Sequence, residues 1–205
     1  MSSVFDTVKL SKSDTPFTFP KNLTDLDSFE FDGLEGKTNL REMLDSSYTD
    51  AFVILKDSKI IFEEYQNEMK DNDLHLMNSV SKSFVGMLLG ILENEAKLST
   101  TDKVIKYIPE LQNSAFQETT IQHALDMTAA VKFTEDYNDS TSEFWHEAAV
   151  VGWRPDLKSK VSSTNLLEFM TSLKETSQKE FEMFDYRTVL TLSLIHISEP
   201  TRPTP

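Results

Sequence analysis

The chain has 205 residues, enough for one sizeable core, and 39% of them are hydrophobic, the proportion of an ordinary globular protein. With 34 acidic against 20 basic residues its formal charge is −14, which argues against nucleic acid and anionic membrane as partners, since both select basic surface. There is no cysteine, so disulfides and thiolate metal sites are excluded.

Residues 1–20 show no apolar segment behind a basic one, and no run approaches membrane-spanning length, so a cytoplasmic protein is expected. Residues 1–50 are polar and loop-rich, with apolar punctuation at Phe17, Phe19, Phe29 and Phe31, and read as an N-terminal extension ending in a short helix around Leu40 to Leu44. Ala51 to Lys56 and Lys59 to Tyr65 are β-type runs around Asp57-Ser58, a hairpin signal weakened by a turn pair that is not Asn-Gly. A helix is predicted from Ser79 to about Glu95, because Val85, Leu88, Leu89 and Leu92 recur at helical spacing. A short segment through Val104 and Ile108 stops at Pro109, and Thr119 or Thr120 opens a helix reaching Met127. After a polar loop, Phe133 to Phe144, two more helices are expected, near 144–151 and 164–173.

The chemistry concentrates where the polar turn before Ser79 becomes an apolar helix. Ser79 and Lys82 are three residues apart, so they share a helix face at the positive end of its dipole. A serine hydroxyl is a poor nucleophile until a neighbouring base takes its proton, and a lysine does so only when burial or nearby positive charge depresses its pKa. Ser-x-x-Lys alone is a weak pattern.

Its surroundings strengthen it. The hairpin, Ser79-x-x-Lys82, Tyr107-Ile108-Pro109-Glu110-Leu111, Leu125-Asp126-Met127-Thr128 and Phe184-x-Tyr186 follow in an order that resembles the serine β-lactamase and penicillin-binding protein superfamily. Glu135-Asp136-Tyr137 after Met127-Thr128 is similar to its 6-aminohexanoate-dimer hydrolase and esterase branch in particular. The resemblance spans about residues 50–191. It implies an α+β, β-lactamase-like fold, with an antiparallel sheet, flanking helices and a helical subdomain. Ser79 would be acylated, Lys82 would be its base, Tyr186 would pass protons to the leaving group, and Tyr137 would reach that leaving group. The implied partner is a small ester or amide, with no cofactor and no metal; oligomeric state is left open.

Two departures stand out. Ala129-Ala130 follows Met127-Thr128 where the superfamily has a small residue and glycine, which puts the local turn in question. The third family motif, a Lys/His-x-Gly strand edge, is absent from residues 1–191. Residues 192–202, LSLIHISEPTR, match the translation of a transposon-tagging sequencing adapter, so residues 192–205 read as a non-native tail with no native core to join. The expected organisation is therefore an extension over 1–50, a partial hydrolase domain over 51–191 lacking its C-terminal strands, and the tail. As such a fragment the chain is expected to be inactive.

Other constellations are weaker. His146-Glu147 begins like a zinc-protease helix, but Val150 stands where the second histidine belongs. Glu135, Asp136 and Asp139 read as a solvated loop or as a carboxylate cluster for a metal, and the former is preferred. The rival reading is a non-catalytic binding or regulatory protein on the same scaffold, which would need none of Ser79, Lys82 and Tyr186.

Overall fold

The computed structural model describes residues 7–177 and 183–198. They fall into two units, Met1–Leu76 and Met77–Pro205. The division lies at Leu76, so the hairpin expected to open the hydrolase domain at Ala51 packs within the first unit.

In that unit β1 (Glu30–Gly33) and β2 (Gly36–Asn39) form an antiparallel hairpin, a pair that the polar composition of residues 1–50 concealed. Asn39 then caps α1 (Leu40–Ser46), its side chain accepting from the Glu42 N–H. β3 (Ala51–Lys56) and β4 (Lys59–Tyr65) form the expected hairpin. Asp57 and Ser58 both take positive φ, 50° and 58°, the left-handed pair that a two-residue hairpin turn needs, and they do so without glycine. Leu40, Leu44 and Phe62 form a small core, with Phe52 and Ile54 packed against it. The outer edge of β4 is not bare: Asn22 N–H donates to the Ile60 carbonyl at 2.8 Å and Thr24 N–H to that of Ile61 at 2.8 Å. Arg41 donates through both terminal nitrogens to Glu64, at 2.6 and 2.5 Å, and these bonds hold the Glu64 carboxyl down at about 2.

The second unit is helical. A 3₁₀ turn at Asn78–Val80 leads into α2 (Ser81–Asn94). Further 3₁₀ turns at Val104–Lys106 and Pro109–Asn113 precede α3 (Ile121–Leu125), α4 (Glu143–Val150), a 3₁₀ segment at Pro155–Lys160, α5 (Leu166–Ser172) and α6 (Thr188–Ser198). Thr120 caps α3 through a reciprocal box with His123. The core gathers Leu89, Val104, Leu111, Phe116, Ile121, Met170 and Leu190, all almost fully buried, and α6 packs on α2 and α3. Among the described residues no helix is long and apolar enough to cross a membrane.

Two sequence expectations need correction here. The turn after Met127 does not ask glycine of Ala129 or Ala130: the positive φ, 55°, falls on Met127, and both alanines are buried. The segment from Leu192 does have a core to join. α6 runs on through it to Ser198, with Leu194 at 1% and Ile197 at 5% exposure. Apolar residues at helical spacing pack whatever their origin.

Val80, at the end of the 3₁₀ turn, and Phe84, Met87, Leu88 and Ile91 of α2 are each about half exposed. They recur at i, i+4, i+7, i+8 and i+11, an apolar stripe opposite the face that carries Leu89.

Candidate active site

Asn78 sets the aim of Ser79. Its φ of 43° is left-handed, a conformation asparagine tolerates better than most residues, and it turns the chain sharply at the first residue of the 3₁₀ turn that carries Ser79. Ser79 thus stands exposed at the mouth of α2, with Lys82 one turn on and half-buried. Tyr186 arrives from an irregular segment, not a strand, and two anchors fix it. Asp185 N–H donates to the Met127 carbonyl at 2.9 Å, and buried Arg187 donates to the Ala129 carbonyl at 2.6 Å and to Asp185 at 2.7 Å. Ala129, the first of the two alanines that departed from the family pattern, therefore anchors the strap that holds the tyrosine.

The three polar atoms close a triangle. Lys82 Nζ donates to Ser79 Oγ at 2.9 Å and to the Tyr186 hydroxyl at 2.7 Å, and the Tyr186 hydroxyl lies 2.9 Å from Ser79 Oγ. Lys82 Nζ also stands 5.1 Å from the centre of the Tyr186 ring. Burial alone would raise the Tyr186 pKa, but hydrogen bonds to Lys82 and Ser79 and the charge of Lys82 together outweigh it and set the phenol below its ordinary value of 10.0. A phenolate is thereby within reach next to a serine hydroxyl.

Glu135 supports this triangle from outside. It accepts from the Thr188 N–H at 2.7 Å, from the Thr188 hydroxyl at 2.8 Å and from the Tyr137 hydroxyl at 2.8 Å. Thr188 in turn lies 3.5 Å from Lys82 Nζ. Tyr137 does not touch the triangle; its ring meets Phe144 edge-on at 4.9 Å, and it lines a cavity together with Ser79 and Lys82. The bond to Glu135, then burial, push the Tyr137 hydroxyl up to about 12, so it stays a donor across the working pH range. Glu135, Asp136 and Asp139 do not converge on a common point: Asp136 accepts from Asn138 N–H and Asp139 from Thr141, each within its own turn. Sequence reading missed the anchoring role of Glu135 and Thr188. The signal was their distance of two residues from Tyr137 and Tyr186, which no periodicity singles out.

A cavity of about 480 Å³ opens on Ser79 and Lys82, walled by Val85, Phe144, Val151 and Trp153, with Glu147 at its side. A family profile described as Beta-lactamase matches residues 38–174, more than half of the chain.

The chain belongs to the beta-lactamase family.

Ser79, Lys82, Glu135 and Tyr137 fall inside the matched stretch and Tyr186 outside it. Within the family, this chain is 33% identical over 136 residues to the 6-aminohexanoate-dimer hydrolase of Paenarthrobacter ureafaciens, an alignment covering 66% of this chain and 34% of that protein. Among solved structures, a Bacillus anthracis protein described as a candidate 6-aminohexanoate-dimer hydrolase superimposes with a TM-score of 0.71. At 24% identity, over 90% of this chain and 48% of that one, it establishes a shared beta-lactamase-like fold. This family member thus spans about a third of the curated relative it matches and about half of the solved structure.

Glu135→Ala is expected to lower kcat/KM of the full-length protein on a simple ester by about 10- to 100-fold, because Thr188 and Tyr137 lose their common anchor. Steady-state kinetics with a parallel thermal melt checks this; unchanged kinetics would remove Glu135 from the site.

Proposed function

We propose that this chain is part of a serine hydrolase that cleaves an ester or amide through an acyl-serine intermediate. The observation that carries the proposal is the closed triangle of Ser79 Oγ, Lys82 Nζ and Tyr186 Oη, at 2.9, 2.7 and 2.9 Å. Lys82 favours the phenolate of Tyr186, which takes the Ser79 proton as Oγ attacks the carbonyl carbon. Charge gathers on the carbonyl oxygen, where backbone N–H groups, beginning with that of Ser79, stabilise it. As the tetrahedral centre collapses, Tyr186 returns the proton to the leaving alcohol or amine, which Tyr137 contacts from its bond to Glu135. Water then attacks the acyl-serine by the same proton route in reverse. The substrate is a small molecule with an apolar portion, matched to Val85, Phe144, Val151 and Trp153. No step draws on a metal or cofactor.

Turnover is assigned to the full-length protein, of which the 205-residue chain is a piece, in keeping with the 34% and 48% of its relatives that it spans. Residues 192–205 are assigned an adapter origin, and the 205-residue chain alone is expected to show no turnover.

A panel of chromogenic esters and amides tests the reaction. The full-length protein should hydrolyse the esters, and Ser79→Ala should fall by at least about 10⁴-fold. Undiminished hydrolysis in that variant would overturn the proposal.

A further inference from the structure

Glu147, on α4, reaches the same cavity as Ser79 and Lys82 and is 4% exposed. Its Oε2 has no hydrogen-bond partner among the described residues. The other carboxylate of the cavity, Glu135, is already engaged by Thr188 and Tyr137, so among the described residues Glu147 is the cavity carboxyl with a buried oxygen left without a partner.

An ionised carboxylate buried without a partner is strongly disfavoured, and such a group keeps its proton instead. Burial first, and then the charge of Glu135, push the Glu147 carboxyl up to about 8, against a smaller opposite pull from Lys82. Charges on neighbouring elements are otherwise engaged: Arg154 with Asp156, and Glu168 of α5 with Thr164. A protonated carboxyl has one O–H to donate, and an unmet donor in an apolar cavity is costly until a ligand meets it.

We propose that Glu147 is the specificity group of this cavity, and that as a neutral carboxylic acid it donates a hydrogen bond to an uncharged oxygen acceptor, a second carbonyl, on the substrate chain away from the scissile bond. This deepens the hydrolase reading by naming the substrate class: esters or amides carrying a further carbonyl, preferred over purely alkyl or ammonium-bearing chains. The binding itself does not require the Ser79 chemistry.

Three non-hydrolysable probes of equal length test it on the 205-residue chain, whose α6 supplies Leu192 and Ile195 to the cavity: a linear methyl ketone, the corresponding alkane, and the corresponding ammonium. By calorimetry at neutral pH the ketone should bind about tenfold tighter than the alkane, in line with one buried hydrogen bond. Glu147→Leu should erase that difference, and Glu147→Gln, which keeps an N–H donor, should retain most of it. Infrared spectra of the wild type titrated with pH should show a carboxylic-acid carbonyl band at neutral pH that is absent in Glu147→Gln, a reading that stands even if Glu147→Leu fails to fold. Equal binding of ketone and alkane, tighter binding of the ammonium probe, or absence of the band would each overturn the proposal. Ester turnover of the full-length protein is measured in parallel: no turnover there with the ketone preference intact removes the hydrolase reading and leaves this one standing.

Discussion

Lys82→Arg and Tyr186→Phe are each expected to lower kcat of the full-length protein by about 10³- to 10⁴-fold while KM changes little. Lys82 Nζ bonds both other members of the triangle, and its hydrogen bond to Tyr186, then that of Ser79 and then its charge, favour the phenolate. Arginine keeps the charge, but its planar fork cannot place one donor at 2.9 Å from Ser79 and 2.7 Å from Tyr186, and it releases no proton. Phenylalanine keeps the ring under Lys82 and removes only the oxygen that carries the proton. The double variant should be little worse than either single one, because residues acting as one unit lose their function together. The pH profile follows from the same bonds. Tyr186 is set below 10.0, so the wild-type rate should rise with pH through an apparent pKa below that value. In Tyr186→Phe that rise should disappear. More than a tenth of wild-type turnover in either single variant would remove that residue from proton transfer.

Ending the chain at Thr191 is expected to destabilise it by more than any single substitution named above. Leu194 and Ile197 are almost fully buried, in contact with the core that holds Leu89 and Ile121. Deleting one such side chain costs about 2–5 kcal/mol, and removing both approaches the whole stability of a domain. The exposed stripe on α2 gives the resulting species a ready route to aggregation. Thermal unfolding of residues 1–191 beside residues 1–205 should show a broad or absent transition in the shorter chain. Coincident sharp transitions would show that α6 beyond Thr191 contributes nothing. This holds even for a segment of adapter origin, since burial depends on side chains and spacing, not on ancestry.

Much of this was legible beforehand. The hairpin at Ala51 announced itself by β-branched and aromatic residues on both sides of a two-residue turn, and the helix after Ser79 by its apolar spacing. Ser79 and Lys82 were legible as a pair because three residues on a helix is also a short distance in space. Tyr186 was not, except by family resemblance, because 107 residues separate it from Ser79 and no local pattern encodes so long a contact. Residues 30–39 were misread as loop, since strands of four residues with Lys, Asp and Glu carry too little alternation to show. Glu147 was weighed only as a zinc-protease glutamate. What singles it out is burial, and burial is a property of the folded cavity.

The most direct measurement is the site of acylation. Full-length protein quenched during hydrolysis of a slow chromogenic ester should carry one acyl group, and peptide mapping by mass spectrometry should place it on Ser79. The same mapping after Lys82→Arg should find little acyl group anywhere. An adduct on another residue, or steady hydrolysis with Ser79 unmodified throughout, would contradict the acyl-serine account.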